Sequence, residues 1–109
     1  MDEAQTSGLA RYTIHLPSHD AKGNSLGHIL PSVRRLLTQA GFNGRHIHRE
    51  VEAEWGDDAP VAHVTVTIDA GDLPEVEEAI KNVASSAKEM GDLEGVYVTK
   101  MPISNSWVV

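Results

Sequence analysis

Alternation of apolar and polar side chains predicts three β-strands, at 11–16, at 45–55 where Arg49 breaks the pattern, and at 61–69. A last short strand is predicted at 96–101. In the first segment Tyr12, Ile14 and Leu16 share one side, and this period of two is typical of a strand with one buried face. Residues 56–60 form a short polar connection between the second and third segments, which predicts a β-hairpin.

A first helix is predicted by apolar residues that recur at helical spacing between positions 26 and 40. Proline is tolerated in the first turn of a helix and disrupts its interior. We therefore expect the regular helix to begin near Leu30 or Pro31. Gly41 is expected to end it.

A second helix is predicted to follow Asp72, which we expect to cap it with its side chain. Pro74 lies in the first turn, and an apolar stripe at helical spacing follows. Gly91 is expected to end this helix.

The resulting order, β-α-β-β-α-β, predicts an α+β protein with a ferredoxin-like two-layer sandwich. Its antiparallel sheet would have the spatial strand order fourth, first, third, second. Both helices would lie on one face, since each strand has a single apolar face. We expect one domain over 1–109, with a loose N-terminus at 1–9 and a C-terminal tail at 102–109. The apolar end of that tail is expected to pack on the sheet or on a second copy.

Composition excludes several classes of protein. The 109 residues include 16 acidic and 9 basic side chains, a net charge of −7, and no cysteine. The chain therefore lacks disulfides, thiolate metal sites and a Cys nucleophile. No apolar run approaches the length of about 20 residues that spans a membrane. The sequence also lacks the cluster of Lys and Arg residues that is typical of nucleic-acid binding. We expect a soluble, cytoplasmic homodimer that binds no cofactor and neither nucleic acid nor membrane.

The face of the sheet opposite the helices is the candidate functional surface, because His, Glu and Thr side chains alternate onto it. The predicted cross-strand pairs are Glu52 with His63, Glu50 with Thr65, and His48 with Thr67. His15, late in the first strand, would come near His63, early in the third. The expected cluster is therefore His15 and His63 with Glu52 or Glu54, since paired β-carbons lie about 4.5–5.5 Å apart.

Three interpretations of this cluster stay open. It is a solvated sheet face, a metal site for zinc or iron, or a surface that binds a small polar or organic ligand. The third interpretation allows acid–base catalysis by His15 and His63 with Glu52 as orienting carboxylate. Further ligand contacts would come from His46, His48, Glu50 and Thr65. Whether the protein is an enzyme stays undecided at this stage.

A different class of function is protein interaction through the acidic segment 45–55. Glutamates at 50, 52 and 54 follow one side of this predicted strand. Charge on an outer strand also discourages unwanted pairing with other sheets, which is a purely structural role.

Two short stretches resemble small uncharacterised bacterial proteins with a ferredoxin-like pattern. One is Pro17-Ser18-His19-Asp20-x-x-Gly23-Asn24, and the other is Gly95-Val96-Tyr97-Val98. The resemblance is loose, points to no named family and implies no activity.

Overall fold

The structure is a computed structural model that describes most of the chain. The described residues are 4–6, 8–19, 22, 24–42, 44–53, 61–104 and 106–108. At 4–6, 48–53, 61–63 and 106–108 only the backbone is described.

Four antiparallel strands form the main sheet, as the sequence predicts. They are β2 (Leu9–Pro17), β3 (His46–Ala53), β4 (Val61–Gly71) and β5 (Tyr97–Ile103). Their spatial order is β3-β4-β2-β5, with β3 and β5 on the outside. Every neighbouring pair is antiparallel. This is the predicted ferredoxin-like order.

Two helices pack against one face of the sheet, α1 (Ile29–Gln39) and α2 (Pro74–Met90). The buried core includes Tyr12, Ile14, Leu16, Ile29, Val33, Leu37, Val66, Ile68, Ile80, Val83, Ala84 and Ala87. Burying one large apolar side chain contributes about 1.5–3 kcal/mol. The core therefore holds both helices on the same face, and neither helix of the described residues covers the other face.

The helices begin one to two residues away from the predicted positions. Helix α1 starts at Ile29, so Pro31 still falls in its first turn. Helix α2 starts at Pro74, and its N-cap is Leu73, whose side chain makes no capping bond. The prediction that Asp72 caps the helix is wrong, because its carboxylate forms an ion pair with Lys100 instead.

The two ends of the chain pair with each other. Strand β1 (Ala4–Thr6) and strand β6 (Ser106–Val108) form a separate antiparallel sheet of two strands. The expectation of a loose terminus over 1–9 is therefore wrong for 4–6, and β2 already begins at Leu9. The tail pairs with the N-terminal strand rather than with the main sheet, since backbone hydrogen bonding gives each short strand a partner. Residue 109 lies outside the described part.

Neither helix of the described residues has both the length and the apolar character needed to cross a membrane.

Candidate ligand-binding face of the sheet

Strand register brings the polar positions of four strands into rows across the uncovered side of the sheet, here called the open face. The rows are His48–Thr65–His15–Tyr97, His46–Thr67–Thr13–Thr99, and Asp69–Arg11–Met101. Each row follows from the period of two, because cross-strand partners in an antiparallel pair share a face. The open face is thus mainly built from threonine and histidine.

His15 is the central side chain of the open face. It is half-buried, and its Nε2 lies 3.5 Å from the hydroxyl oxygen of Thr99. Its ring lies 5.3 Å from the ring of Tyr97, at a tilt of 48°. That distance is typical of a contact between aromatic rings. Tyr97 keeps 54% of its surface exposed, so the pair presents an imidazole edge beside an accessible aromatic ring.

Threonine hydroxyls continue the polar surface toward the other end of the strands. The hydroxyl oxygens of Thr13 and Thr67 lie 3.3 Å apart, within hydrogen-bond distance across β2 and β4. Thr65, the partner of His15 in the register, is buried. Its side chain is therefore largely covered by neighbouring side chains of the open face.

A bidentate ion pair lies at one end of the open face. The Arg11 guanidinium donates to both carboxylate oxygens of Asp69, with Nε at 2.8 Å and a terminal nitrogen at 2.9 Å. These hydrogen bonds lower the pKa of Asp69, and the positive charge of Arg11 and the nearby His46 lower it further against the opposing effect of burial. Both charges are therefore already paired within the chain.

The register of the hairpin differs from the predicted one. His48 lies opposite Thr65 rather than Thr67, and an irregularity between His48 and Val51 shifts the pairing by one residue. Beyond it, His63 lies opposite Val51, and Glu52 lies opposite Ala62. The predicted pairing of Glu52 with His63 is therefore wrong. A β-bulge places two residues of one strand against one of its partner, which reverses the alternation locally.

The structure tests only part of the predicted cluster. His15, Thr65 and His46 lie on the open face, and His46 is exposed. The side chains of His48, Glu50, Glu52 and His63 lie outside the described residues. His15 lies opposite Thr65, and His63 lies opposite Pro17, two residues further along each strand.

The described residues do not support the hypothesis of a metal site. No three of their His, Asp and Glu side chains are grouped so that they could hold a metal ion. Two of the three proposed ligands, His63 and Glu52, have side chains outside that part of the chain.

The sequence analysis missed the contribution of β5 to this surface. Tyr97, Thr99 and Met101 alternate along it, a signal that was available in the sequence. The predicted strand order puts β5 beside β2, but the order alone does not fix which residues of the two strands lie opposite each other. That register depends on which residues of two distant segments face each other, and no turn links them directly.

The chain matches no protein-family model and no curated protein. Solved structures with the same fold do match. A phage SAM lyase in complex with S-methyl-5′-thioadenosine is 13% identical, with a TM-score of 0.59 over 100% of this chain and 95% of that one. CPII, a nitrogen regulatory PII-like protein from Thiomonas intermedia K12 bound to ADP, AMP and bicarbonate, is 15% identical, with a TM-score of 0.56 over 99% and 97%.

CutA from Synechococcus elongatus PCC7942 is a further neighbour, 7% identical, with a TM-score of 0.56 over 96% of this chain and 85% of that one. At these identities the likeness shows the fold alone. The chain is therefore an α+β protein with a ferredoxin-like fold, as the strand order already indicates.

Proposed function

We propose that the protein binds a small polar organic ligand on the open face, with His15 as the central polar contact. The observation that carries this proposal is the position of His15 between the exposed ring of Tyr97 and the hydroxyl of Thr99, on the side of the sheet that the helices leave uncovered. Thr65 and His46 are the further contacts among the described side chains. His48, Glu50 and His63 remain proposed contacts from the sequence, and Glu52 is left out because it lies opposite Ala62 in the observed register.

The chemistry of these groups suits a ligand with a flat apolar part and polar substituents. An exposed aromatic ring offers a stacking surface, and stacking of a base on such a ring is worth about 1–3 kcal/mol. Imidazole and threonine hydroxyl groups both donate and accept hydrogen bonds, so they can orient polar substituents of either kind. The charges of Arg11 and Asp69 at one end are satisfied by each other.

Comparison with the fold neighbours supports the binding of a small molecule. The structures of the phage SAM lyase and of CPII both contain adenosine derivatives. Sheets of this size and shape therefore occur in proteins that bind flat heteroaromatic ligands. We therefore use adenosine derivatives as probes for binding, and we infer no reaction from these neighbours.

A more specific version of the proposal is that His15 takes part in acid–base catalysis on the bound ligand. Imidazole exchanges protons near neutral pH, and His15 would accept or donate one at Nε2, the atom near Thr99. In this form His63 is the proposed partner of His15, whereas the observed register places Glu52 opposite Ala62 and not beside these histidines.

A titration of the labelled full chain followed by NMR tests the proposal, with S-methyl-5′-thioadenosine and AMP as probes. We expect saturable shifts of the backbone amide signals of Thr13, His15, Tyr97 and Thr99. Replacing Tyr97→Ala should raise the dissociation constant about 5- to 10-fold, because the stacking surface is lost. Unchanged open-face signals with both probes would contradict the proposal.

Met101→Ala is the matched control for Tyr97→Ala. Met101 lies on the same strand and the same face and is 61% exposed, but it is in a different row from His15. We expect it to change the dissociation constant less than about twofold. An equal loss in both variants would indicate nonspecific adsorption to apolar surface.

Protein interaction through the acidic segment 45–55 is a second candidate function. The observation that favours it is that β3 is an outer strand of the sheet that the described residues form, the position at which a partner strand can add. A homodimer, a single domain over 1–109 and a cytoplasmic location also remain proposals from the sequence. Saturable binding of the two probes on the open face would favour ligand binding over the interaction function.

A further inference from the structure

A groove separates helix α2 from the outer strand β5, on the opposite side of the sheet from the open face. It encloses about 400 Å³, within the range of small-molecule sites. Its lining residues are Lys81, Ala84, Ser85, Lys88, Gly95, Val96 and Val98. The first four come from one face of α2, since they are spaced three, four and seven residues apart.

Small side chains leave this groove open. Ala84 and Ser85 of α2, together with Gly95 before β5, offer little volume to fill the gap between helix and strand. A side-chain carbon added at Gly95 would meet no atom within 4 Å. Among the described residues, strand β5 is the outer strand at this end of the sheet. The groove is therefore accessible from solvent.

The two charged side chains that line the groove are both lysines, although the chain carries a net charge of −7. Lys81 is paired with Glu77, one turn away on α2, at 2.9 Å. In the described part of the chain no acidic side chain forms an ion pair with Lys88. Lys88 is thus the cation of the groove that can bind an external anion.

We infer that this groove binds an amphipathic organic anion, at a site separate from the open face. The ammonium group of Lys88 would bind the anionic group of the ligand, with the Ser85 hydroxyl as a neighbouring donor. The half-buried valines Val96 and Val98 would contact its apolar part. A carboxylate, a sulfonate or a phosphate meets this requirement equally, because each places several acceptor oxygens near a point charge.

Lys88 also has a structural role that the experiment must separate from binding. It lies in the last turn of α2, where a positive charge stabilises the partial negative charge at the helix end. That role accounts for a lysine at this position but requires neither the groove nor its apolar lining. Affinity for a ligand, measured beside stability, distinguishes the two roles.

The probe for this experiment is 8-anilinonaphthalene-1-sulfonate, which joins a sulfonate to an apolar ring system. We expect it to shift the amide signals of Ser85, Gly95, Val96 and Val98 saturably in the folded full chain. Lys88→Gln should weaken this binding about 3- to 10-fold through loss of the charged contact. Ser85→Leu should also weaken it, because the larger side chain fills the groove.

Arg35→Gln is the matched control for Lys88→Gln. It removes one positive charge from an exposed position on α1, and we expect less than about a twofold loss of affinity. Equal loss in the two charge variants, or unchanged affinity in Lys88→Gln, would overturn the inference. So would shifts confined to other surfaces, or full displacement of 8-anilinonaphthalene-1-sulfonate by millimolar inorganic phosphate, because phosphate lacks the apolar part. None of these outcomes depends on ligand binding at the open face.

Discussion

Tyr12 is the largest polar-tipped side chain in the core, and its hydroxyl has a defined partner. The side chain is 1% exposed, and the hydroxyl donates to the backbone carbonyl oxygen of Gly71 at 3.0 Å. Burial raises the pKa of this phenol, although the nearby charge of Lys100 opposes the shift. The neutral, donating form is therefore the one that the folded protein favours. The alternation along β2 placed Tyr12 inside, but the hydrogen bond joins two strands distant in sequence.

Removing the Tyr12 hydroxyl should destabilise the protein measurably. Tyr12→Phe leaves the Gly71 carbonyl without this donor, and we expect the free energy of unfolding to fall by about 0.5–1.5 kcal/mol. Urea denaturation followed by circular dichroism measures this change. Ser86→Ala is the control, since the Ser86 hydroxyl donates to the Asn82 carbonyl oxygen at an exposed position of α2, and it should cost less. An equal cost in both variants would contradict the importance of the buried bond.

Two glycines end the two helices for different physical reasons. Gly41 follows the end of α1 with a φ of +94°, a backbone conformation that other residues adopt only with strain. Gly91 is the C-cap of α2 with a φ of −93°, so its backbone is ordinary. A side-chain carbon at Gly91 would instead lie 2.7 Å from the Cδ1 of Ile29. The sequence predicted both stops, but only the packing of α2 near α1 explains the second.

The two glycines should therefore respond differently to substitution. Gly41→Ala should cost about 1–2 kcal/mol of stability through backbone strain, and Gly41→Asn less, because asparagine tolerates positive φ. Gly91→Ala should cost about 1–3 kcal/mol through overpacking, and Gly91→Asn at least as much. Chemical denaturation of the four variants checks this pattern. Relief by asparagine at both positions would refute the steric explanation for Gly91.

At the scale of the whole molecule, the chain ends form a sheet of their own. The pairing of Ala4–Thr6 with Ser106–Val108 joins segments about a hundred residues apart in sequence. A sheet of two short strands is marginal by itself in water. Its pairing should therefore be the less stable part of the fold, and the four-stranded sheet should persist without it.

Truncation after position 104 tests this division. We expect the backbone amides of β1 that bond to β6 to lose their protection from hydrogen exchange, because the partner strand is removed. The amides of β2 and β4 should keep their protection, with less than about 1 kcal/mol lost from the free energy of unfolding. Loss of protection in β2 as well would show that the terminal sheet supports the main one. Hydrogen exchange measured by NMR resolves these residues individually.

The predicted and observed open faces differ because alternation and register are different kinds of information. Alternation along 11–16 placed His15 opposite the core side without any knowledge of its neighbours. Its contacts with Tyr97 and Thr99 depend on how β5 is aligned, and the irregularity after His48 shifts the partner of Glu52. A shift of one residue exchanges the two faces of a strand, so a small local change decides which side chains meet.

The sequence by itself determined the four main strands, both helices and their ferredoxin-like order, because periodicity and turn residues act over short stretches of chain. Only the tertiary structure decided the hairpin register, the pairing of the two chain ends, the replacement of the predicted Asp72 cap by an ion pair with Lys100, and the groove beside Lys88. Each of these features depends on which distant segments come into contact, and contact between distant segments is set by the packing of the whole core.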